Sequence, residues 1–231
     1  MLKAIFENIK GRCPYNSPTD MGVNMAGYCI TDDEVVCRAS EQEVIRRYYN
    51  TYCAVRQGLA DQSEIYKLEL LMKQLGISTK DRPVVEAALT RAEETGGPAV
   101  AIQLNDGRIV TGKTSSLLGA SAAALLNALK ELGGIQHDIH LISPIVIEPI
   151  QVLKTSHMGN RNPRLHTDEI LIALAICAAT NPTAALALEQ LPKLKNCEAH
   201  SSVILSRVDE NVFHKLGINL TCEPQYQTKK L

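Results

Sequence analysis

The sequence predicts an α/β protein of the α+β kind, in which a helical subdomain is followed by a layered α/β subdomain. The helical part is predicted from amphipathic patterns and capping signals between residues 40 and 95. The layered part is predicted because short β-rich runs begin at residue 99 and then alternate with helical segments. The first domain, residues 1–96, also includes a polar N-terminal loop, and the second domain covers residues 97–231.

Three helices are predicted in the first domain. The segment SEQEVIRRYYNTYCAVRQG has a capping box at Ser40 and Glu43 and a stop signal at Gly58. The second helix, DQSEIYKLELLMKQLG, ends at Gly76. The third, DRPVVEAALTRAEETGG, has Pro83 in its first turn and closes on two glycines.

The second domain begins with a predicted β-hairpin, since AVAIQL and RIVTG are joined by Asn105-Asp106-Gly107. The next segment, SSLLGASAAALLNALKELGG, predicts a helix whose small residues allow close packing on a sheet. A largely apolar strand is predicted in DIHLISPIVIEP. Two helices separated at Asn181-Pro182 follow, and the first, apolar on nearly every side, is expected to be buried. A strand in HSSVILS, a helix in DENVFHKLG and a strand in INLTC complete the domain.

Composition excludes several classes of partner. Lysine and arginine number 24 against 25 acidic residues, Trp is absent and Phe occurs twice, so nucleic acid is not an expected partner. The seven cysteines are an odd number without CxxC spacing, which indicates reduced thiols and a cytoplasmic location. No signal segment and no apolar run of about 18 residues is visible, so no membrane partner is predicted.

The stretch GRIVTGKT, residues 107–114, matches the pattern of a phosphate-binding loop. In a true loop of this kind the strand precedes the first glycine, whereas here Gly107 lies in the hairpin turn and RIVT forms the returning strand. Only the end of the match, between a strand and a helix, favours an anion, with Lys113 and Thr114 as ligand-binding candidates. The alternative is that Ser115 or Ser116 caps the helix and Lys113 is solvated.

A second candidate site lies in the loop HMGNRNPRLHTDE, residues 157–169. Arg161 and Arg164 are predicted to bind a phosphate or a carboxylate, and His166 is predicted to act as an acid or a base. The alternative is structural: Asp168 and Glu169 complement the helix dipole, and the arginines pair with them at the surface.

The polar stretch YNSPTDMGVNMAG adds Asp20 and Asn24 as further ligand-binding candidates. Alternatively, these side chains hold an irregular loop through turns of their own. No cofactor is identified. His157, His166 and His200 fit no standard spacing of metal ligands, so no metal site is predicted.

Four long stretches resemble the domain-of-unknown-function 1846 family of bacterial cytoplasmic proteins. They are SPTDMGVNMAG, GRIVTGKTSSLLGASAAALLNALK, NPRLHTDEILIALAICAATNPTAALALEQLPKLKNCEAHSSVIL and DENVFHKLGINLTCEP. Because family members are about twice as long, the resemblance implies that this chain is a fragment corresponding to their C-terminal half only, while the other half carries a segment of the type GPGSGK after a strand. It also implies a helical subdomain followed by a cytidine-deaminase-like layout, but no biochemical activity.

Zinc-dependent deamination can be compared directly with the residues. That chemistry needs a His or Cys with a Glu at the start of the first helix, and Pro-Cys-x-x-Cys at the end of the next strand. Here the corresponding residues are LGASA, residues 118–122, and SPIV, residues 143–146. The ligands are absent, so a deaminase-like layout without its zinc site is predicted.

These observations lead to two functional hypotheses. The first is that the chain contributes a binding surface for a small anionic ligand, such as a phosphorylated metabolite or a nucleotide, to a larger enzyme. The alternative is a non-catalytic assembly domain. A homo-oligomer fits both hypotheses, and the sequence specifies neither a substrate nor a reaction. Convergence of the predicted side chains on one concave pocket favours the first.

Overall fold

A computed structural model describes residues 8–11 and 32–227, and the chain divides into two compact units, residues 1–44 and 45–231. Within the described residues, no helix combines the length and apolar character needed to cross a membrane. The boundary predicted at residue 96 concerns subdomains and stays a prediction. The helices and strands, in chain order, are α1 (Asp33–Arg56), α2 (Gln62–Leu75), α3 (Pro83–Thr95), β1 (Ala99–Gln103), β2 (Ile109–Lys113), α4 (Ala120–Leu132), α5 (Pro144–Val152), α6 (Thr167–Ala178), α7 (Pro182–Leu188), β3 (Glu198–Ser201), α8 (Arg207–Lys215) and β4 (Asn219–Cys222).

The four strands form one mixed sheet in the order β2-β1-β3-β4. Strand β1 is antiparallel to β2 and β3, and β3 is parallel to β4. The predicted hairpin is confirmed, because Ala99 lies opposite Lys113 and Gln103 opposite Ile109, with Gly107 in the turn at a φ of +90°. The predicted mixed α/β class is therefore confirmed.

Alternating side chains of β1 contact different layers of helices. Val100 and Ile102 belong to the main core, which includes residues of α4, α6, α7 and α8. Ala101 points to the opposite face and packs with Val84 and Ala88 of α3. The sheet is consequently covered on both faces, by α3 on one side and by the larger group of helices on the other.

Helix α4 approaches β2 at the second glycine of GRIVTGKT. A Cβ atom at Gly112 would lie 2.1 Å from the backbone nitrogen of Ala124 and 2.5 Å from its Cα. Both of these atoms are backbone, so the neighbour cannot swing aside. Gly112 therefore permits close packing of helix on strand, which accounts for this glycine without any phosphate.

Several predicted helix ends are confirmed, and local chemistry explains them. The Asp61 carboxylate accepts a hydrogen bond from the Ser63 N–H at the start of α2, and Gly76 ends that helix in the left-handed conformation. Helix α3 has proline at its first position and ends at Gly96. Helices α6 and α7 separate at Asn181, whose side chain caps α7.

Several elements differ from their predictions. The strand predicted in HSSVILS ends at Ser201, and residues 202–206 lie outside any strand. The apolar strand predicted in DIHLISPIVIEP is wrong: residues 144–152 form α5, which begins at Ser143 and has Pro144 at its first position. Its β-branched residues favour a strand, but the serine-proline pair starts a helix. The cap predicted at Ser40 is also wrong, because α1 begins earlier, where the Asp32 carboxylate accepts the Val35 N–H at 3.0 Å.

We expect Gly112→Ala to destabilise the protein by about 2 kcal/mol, since the added methyl group must push α4 away from β2. Urea denaturation measures the difference. The matched control is Gly97→Ala, where an added Cβ meets nothing within 4 Å; its effect should stay within about 0.5 kcal/mol. Equal stability of the two variants would contradict the role given to Gly112.

Candidate functional site

The two segments predicted to bind an anion lie side by side. The Leu165 N–H donates to the Leu117 carbonyl at 2.9 Å, and the Gly119 N–H donates to the Leu165 carbonyl at 3.1 Å. The Nε of Arg164 also donates to the Ser115 carbonyl at 2.7 Å. The structure therefore brings the segment that follows β2 together with the loop that precedes α6.

The backbone of the first segment is engaged within the protein. Thr114 donates both its N–H (3.0 Å) and its hydroxyl (3.2 Å) to the Pro98 carbonyl. The Ser115 N–H donates to the Leu118 carbonyl, and the Ser115 hydroxyl accepts the Leu118 N–H. Lys113 is exposed at the end of β2. The side chain of Lys113, rather than a cradle of N–H groups, is thus the part available to an anion.

The arginines of the second segment are placed differently from each other. Arg161 is exposed, while Arg164 is half-buried and anchored through Nε. Within the described part of the chain, the two Nη groups of Arg164 have no hydrogen-bond partner. The remaining ligand candidates, Asp20 and Asn24, lie outside the described residues.

Asp209 joins the starts of α6 and α8. One carboxylate oxygen accepts the Thr167 N–H and the Thr167 hydroxyl, each at 3.0 Å. The other accepts His166 Nδ1–H at 3.0 Å and the Ser206 hydroxyl at 2.8 Å. A carboxylate has about four acceptor positions. Asp209, which is 5% exposed, is therefore saturated and orients the other groups instead of binding a ligand.

The pKa values of the pair move in opposite directions. Burial acts to raise the pKa of Asp209, but hydrogen bonds from His166, Thr167 and Ser206 outweigh it and lower that pKa to about 2. The hydrogen bond to Asp209 raises the pKa of His166 above its ordinary value, while burial opposes this. An imidazolium and a carboxylate thus form a stable pair in mildly acidic solution.

The two ring nitrogens of His166 differ in their partners. Its Nδ1 is bound by Asp209, the side chain is 31% exposed, and no described residue forms a hydrogen bond with Nε2. An imidazole oriented by a buried carboxylate through Nδ1 can exchange a proton at Nε2 with a ligand. The arrangement is suited to acid–base work or to binding a negative charge.

An ion pair between the buried Lys154 and the half-buried Glu169 holds the loop that carries His166. The Lys154 ammonium, 4% exposed, lies 2.7 Å from Glu169 Oε2, and that oxygen also accepts the His166 N–H at 2.8 Å. Glu169 is therefore paired with Lys154. The structural alternative had paired this carboxylate with an arginine. Asp168 accepts the neighbouring Glu169 N–H at 2.8 Å.

The site lies on an open surface. Two grooves of the described surface are lined by other side chains, one along α5 around Pro149 and Val152 and the other beside β2 around Arg108 and Asn127. In the described part, no three side chains among His, Cys, Asp and Glu are grouped as metal ligands. The two segments that carry Lys113, Arg161, Arg164 and His166 lie side by side, and these four side chains line neither of the two grooves.

Asp209 and Lys154 were not predicted as site residues. For Asp209 a signal existed: Ser206 and Asp209 have the spacing of a capping box. The helix was instead predicted to begin at Asp209. Its carboxylate was therefore not predicted to bind residues of other elements. Lys154 carried no comparable signal, because its partners lie 10 and 15 residues away.

Two family models match this chain. The family model described as domain of unknown function DUF1846, C-terminal, matches residues 80–231, and its N-terminal counterpart matches residues 1–76. The resemblance is therefore confirmed. The restriction to a C-terminal half is wrong, because the N-terminal model also matches.

The relatives are proteins named UPF0371. Identity is 56% over 231 residues to that of Streptococcus thermophilus and 54% over 231 residues to that of Streptococcus pneumoniae, covering 100% of this chain and 47% of each relative. It is 53% over 229 residues to that of Corynebacterium aurimucosum, covering 99% of this chain and 46% of the relative. The chain spans about half the length of the curated relatives it matches.

We expect Asp209→Asn to lower stability by on the order of 2 kcal/mol near pH 5.5, because the lowered pKa of Asp209 reports a stabilised carboxylate. The contribution of Asp209 is present above pH of about 4 and is lost as the pH falls through about 2. That of His166, whose pKa is raised, is present below about 6.5 and is lost as the pH rises through its folded value.

Urea denaturation near pH 5.5 and again near pH 3 measures the effect, which should shrink at the lower pH. The matched control is Asp168→Asn, an exposed carboxylate in the first turn of α6, the helix that follows His166, with an expected change within about 0.5 kcal/mol. A loss that is the same at both pH values would mean that the charge on Asp209 is not what stabilises the cluster.

Proposed function

Since the chain belongs to the DUF1846 family, we propose that it contributes a surface site for a small anionic ligand, such as a phosphorylated metabolite or a nucleotide, to a larger enzyme. The observation that carries this proposal is the His166–Asp209 pair. Its imidazole is oriented through Nδ1 at 3.0 Å and leaves Nε2 for a ligand. A purely structural cap would not require the ring to remain partly exposed.

Positive groups lie in the loop that carries this imidazole and in the segment beside it. Arg164 is anchored by one nitrogen and retains its Nη groups for a phosphate or a carboxylate. Arg161 is exposed in the same loop, and Lys113 is exposed on the adjoining segment. The nearest carboxylates, Asp209 and Glu169, are each engaged by partners within the protein. An anion would therefore find arginine and imidazolium donors, with the exposed Asp168 as the carboxylate of this loop that opposes it.

In this proposal His166 exchanges a proton at Nε2, and the arginines bind and orient the anion. Asp209 keeps the imidazole in one tautomer and stabilises its charged form. Thr114 is a weaker contact, because its hydroxyl already donates to Pro98. The open surface fits a shared site, since the relatives are about twice as long as this chain. The rest of such a protein would exclude water from the ligand.

A cytidine-deaminase-like layout without its zinc site is part of the same proposal. Its support is the order of a hairpin, helix α4, strand β3, helix α8 and strand β4, with helices α5, α6 and α7 inserted between α4 and β3. The second zinc-ligand segment of a deaminase lies at the end of a strand, whereas residues 143–146 begin a helix here. The loop after β3 is therefore the position that corresponds to that segment. That loop, SVILS at residues 202–206, contains no His or Cys. The proposed chemistry accordingly rests on His166.

We expect inorganic phosphate or ATP to raise the melting temperature of this chain and of a full-length relative, since a ligand of the folded state stabilises it. In calorimetric titrations of the chain, Arg161→Gln and Arg164→Gln should each weaken binding about tenfold, or about 1.4 kcal/mol. Arg91→Gln, on helix α3, is the matched control and should bind like the wild type. Binding confined to the longer protein would move the site out of this chain.

A second candidate function, assembly, is favoured by one face of α6. The apolar residues at positions i, i+3, i+4 and i+7 of this face are all exposed: Ile172, Ala175, Ile176 and Ala179. Ile172 is 62% and Ile176 65% exposed, so the prediction that this helix is buried is wrong for one side. A continuous apolar stripe on a surface helix is typical of a helix that packs on another helix.

The stripe is complementary to itself. When two copies of α6 pack antiparallel about a two-fold axis between positions 175 and 176, each isoleucine of one copy lies opposite an alanine of the other. Large side chains then fill the space left by small ones. The occupant proposed for this face is therefore a second copy of the chain, which is compatible with the anion site at the start of the same helix.

We expect the wild type to form a dimer and Ile176→Glu to be monomeric, because two carboxylates would be buried at the centre of the interface. Light scattering after gel filtration, over a range of protein concentrations, measures the molar mass. Leu70→Glu replaces a leucine that is 58% exposed on α2 and should remain dimeric. A wild type that is monomeric at every concentration would rule out this interface.

A further inference from the structure

Lys154 is buried beneath the loop that carries His166. It lies in a five-residue π-helical turn, Leu153–His157, which follows α5 directly. Its ammonium donates to the Arg164 carbonyl and to Glu169 Oε2, both at 2.7 Å. Lysine is rarely buried to 4% exposure unless its charge is paired. The pairing here is with two residues that flank His166 in the chain.

One carboxylate oxygen transmits this contact to His166 itself. Glu169 Oε2 accepts both the Lys154 ammonium and the His166 N–H, the latter at 2.8 Å. Lys154 thus holds the backbone on the N-terminal side of His166 directly and the nitrogen of His166 through one atom. The imidazole is fixed from the other side by Asp209 at 3.0 Å.

The end of α5, which leads directly into the π-helical turn, contacts the other segment of the site. Gln151, one turn before Lys154, donates through Nε2 to the Ser116 carbonyl at 3.1 Å. The Thr155 hydroxyl donates to the Gln151 carbonyl at 2.8 Å. Turns of this kind are rare and occur often at functional sites. The turn and the last residues of α5 therefore bond together to both segments between which the anion is proposed to bind.

We propose that Lys154 is a positioning residue of the anion site, which holds the loop of His166 so that the imidazole meets Asp209 and keeps its Nε2 toward the ligand. The effect on ligand affinity rests on the function proposed above. The effect on the imidazole does not, because it depends only on contacts within the protein. A merely structural lysine would alter stability while leaving the titration of His166 as it is in the wild type.

The experiment compares Lys154→Met with Lys154→Arg and with Lys130→Met in the whole chain. Lys130 is the matched control, since it is also buried and donates to a carbonyl, that of His137 at 3.0 Å, at a place remote in sequence from the loop. The readouts are the pKa of His166, followed by NMR of its imidazole, and the dissociation constant of inorganic phosphate. Lys154→Arg preserves the charge and the donors.

In Lys154→Met the pKa of His166 should fall toward its ordinary value, because the imidazole loses its fixed hydrogen bond to Asp209. Phosphate binding should weaken about tenfold. Lys154→Arg should restore most of both, and Lys130→Met should change neither. Loss of charge alone would instead raise the pKa of His166, so a raised or unchanged pKa overturns the proposal.

Two further outcomes remain decisive. If Lys154→Met does not fold, Lys154→Gln takes its place, since the amide can donate a hydrogen bond but carries no charge for Glu169; a raised or unchanged pKa of His166 in that variant also overturns the proposal. If the wild type binds no phosphate, the proposed function fails, while the pKa of His166 still decides the role of Lys154.

Discussion

The arrangement of the sheet depends on the contacts of the Arg82 guanidinium. It is 1% exposed and donates to the Ala199 carbonyl at 3.0 Å and to the Asn219 carbonyl at 2.8 Å. Its remaining nitrogens bind the Thr221 hydroxyl at 3.2 Å and form an ion pair with Glu198. A buried charge is tolerated only when it is paired in this way. One side chain at the start of α3 therefore joins β3 to β4.

The parallel pairing of β3 and β4 determines where Asp209 lies. Parallel neighbours cannot be joined by a hairpin, so the chain must cross over between them, and α8 is that crossover. Its first turn begins near the carboxyl end of β3, the side of a sheet at which α/β proteins often bind ligands. Ser206 and Asp209 are carried there, where they meet His166 and Thr167 at the start of α6. The acid–base pair is thus a consequence of the crossover.

Much of the fold could be predicted because it depends on residues that lie close together in the sequence. Contacts between residues far apart in the sequence could not be predicted. The hairpin and the ends of α2, α3 and α7 follow from glycine, proline and capping residues within a few positions. The strand predicted across Ser143–Pro144 was wrong because β-branched composition was given more weight than the helix-starting pair. In the site, His166 could be predicted from its polar loop. Its partner could not, since 43 residues separate it from Asp209.

GRIVTGKT shows how packing and ligand binding select the same residue types. Its first glycine turns a hairpin, and its second lets α4 lie against β2. The N–H groups of Thr114 and Ser115, which follow, donate to carbonyls of the same protein, so they are not available to a phosphate. In the proposed site an anion is therefore recognised by side chains, namely Lys113 together with Arg164 and His166 from the adjoining loop. Recognition by side chains needs their positions to be held, and the contacts of Asp209 and Lys154 hold two of those three.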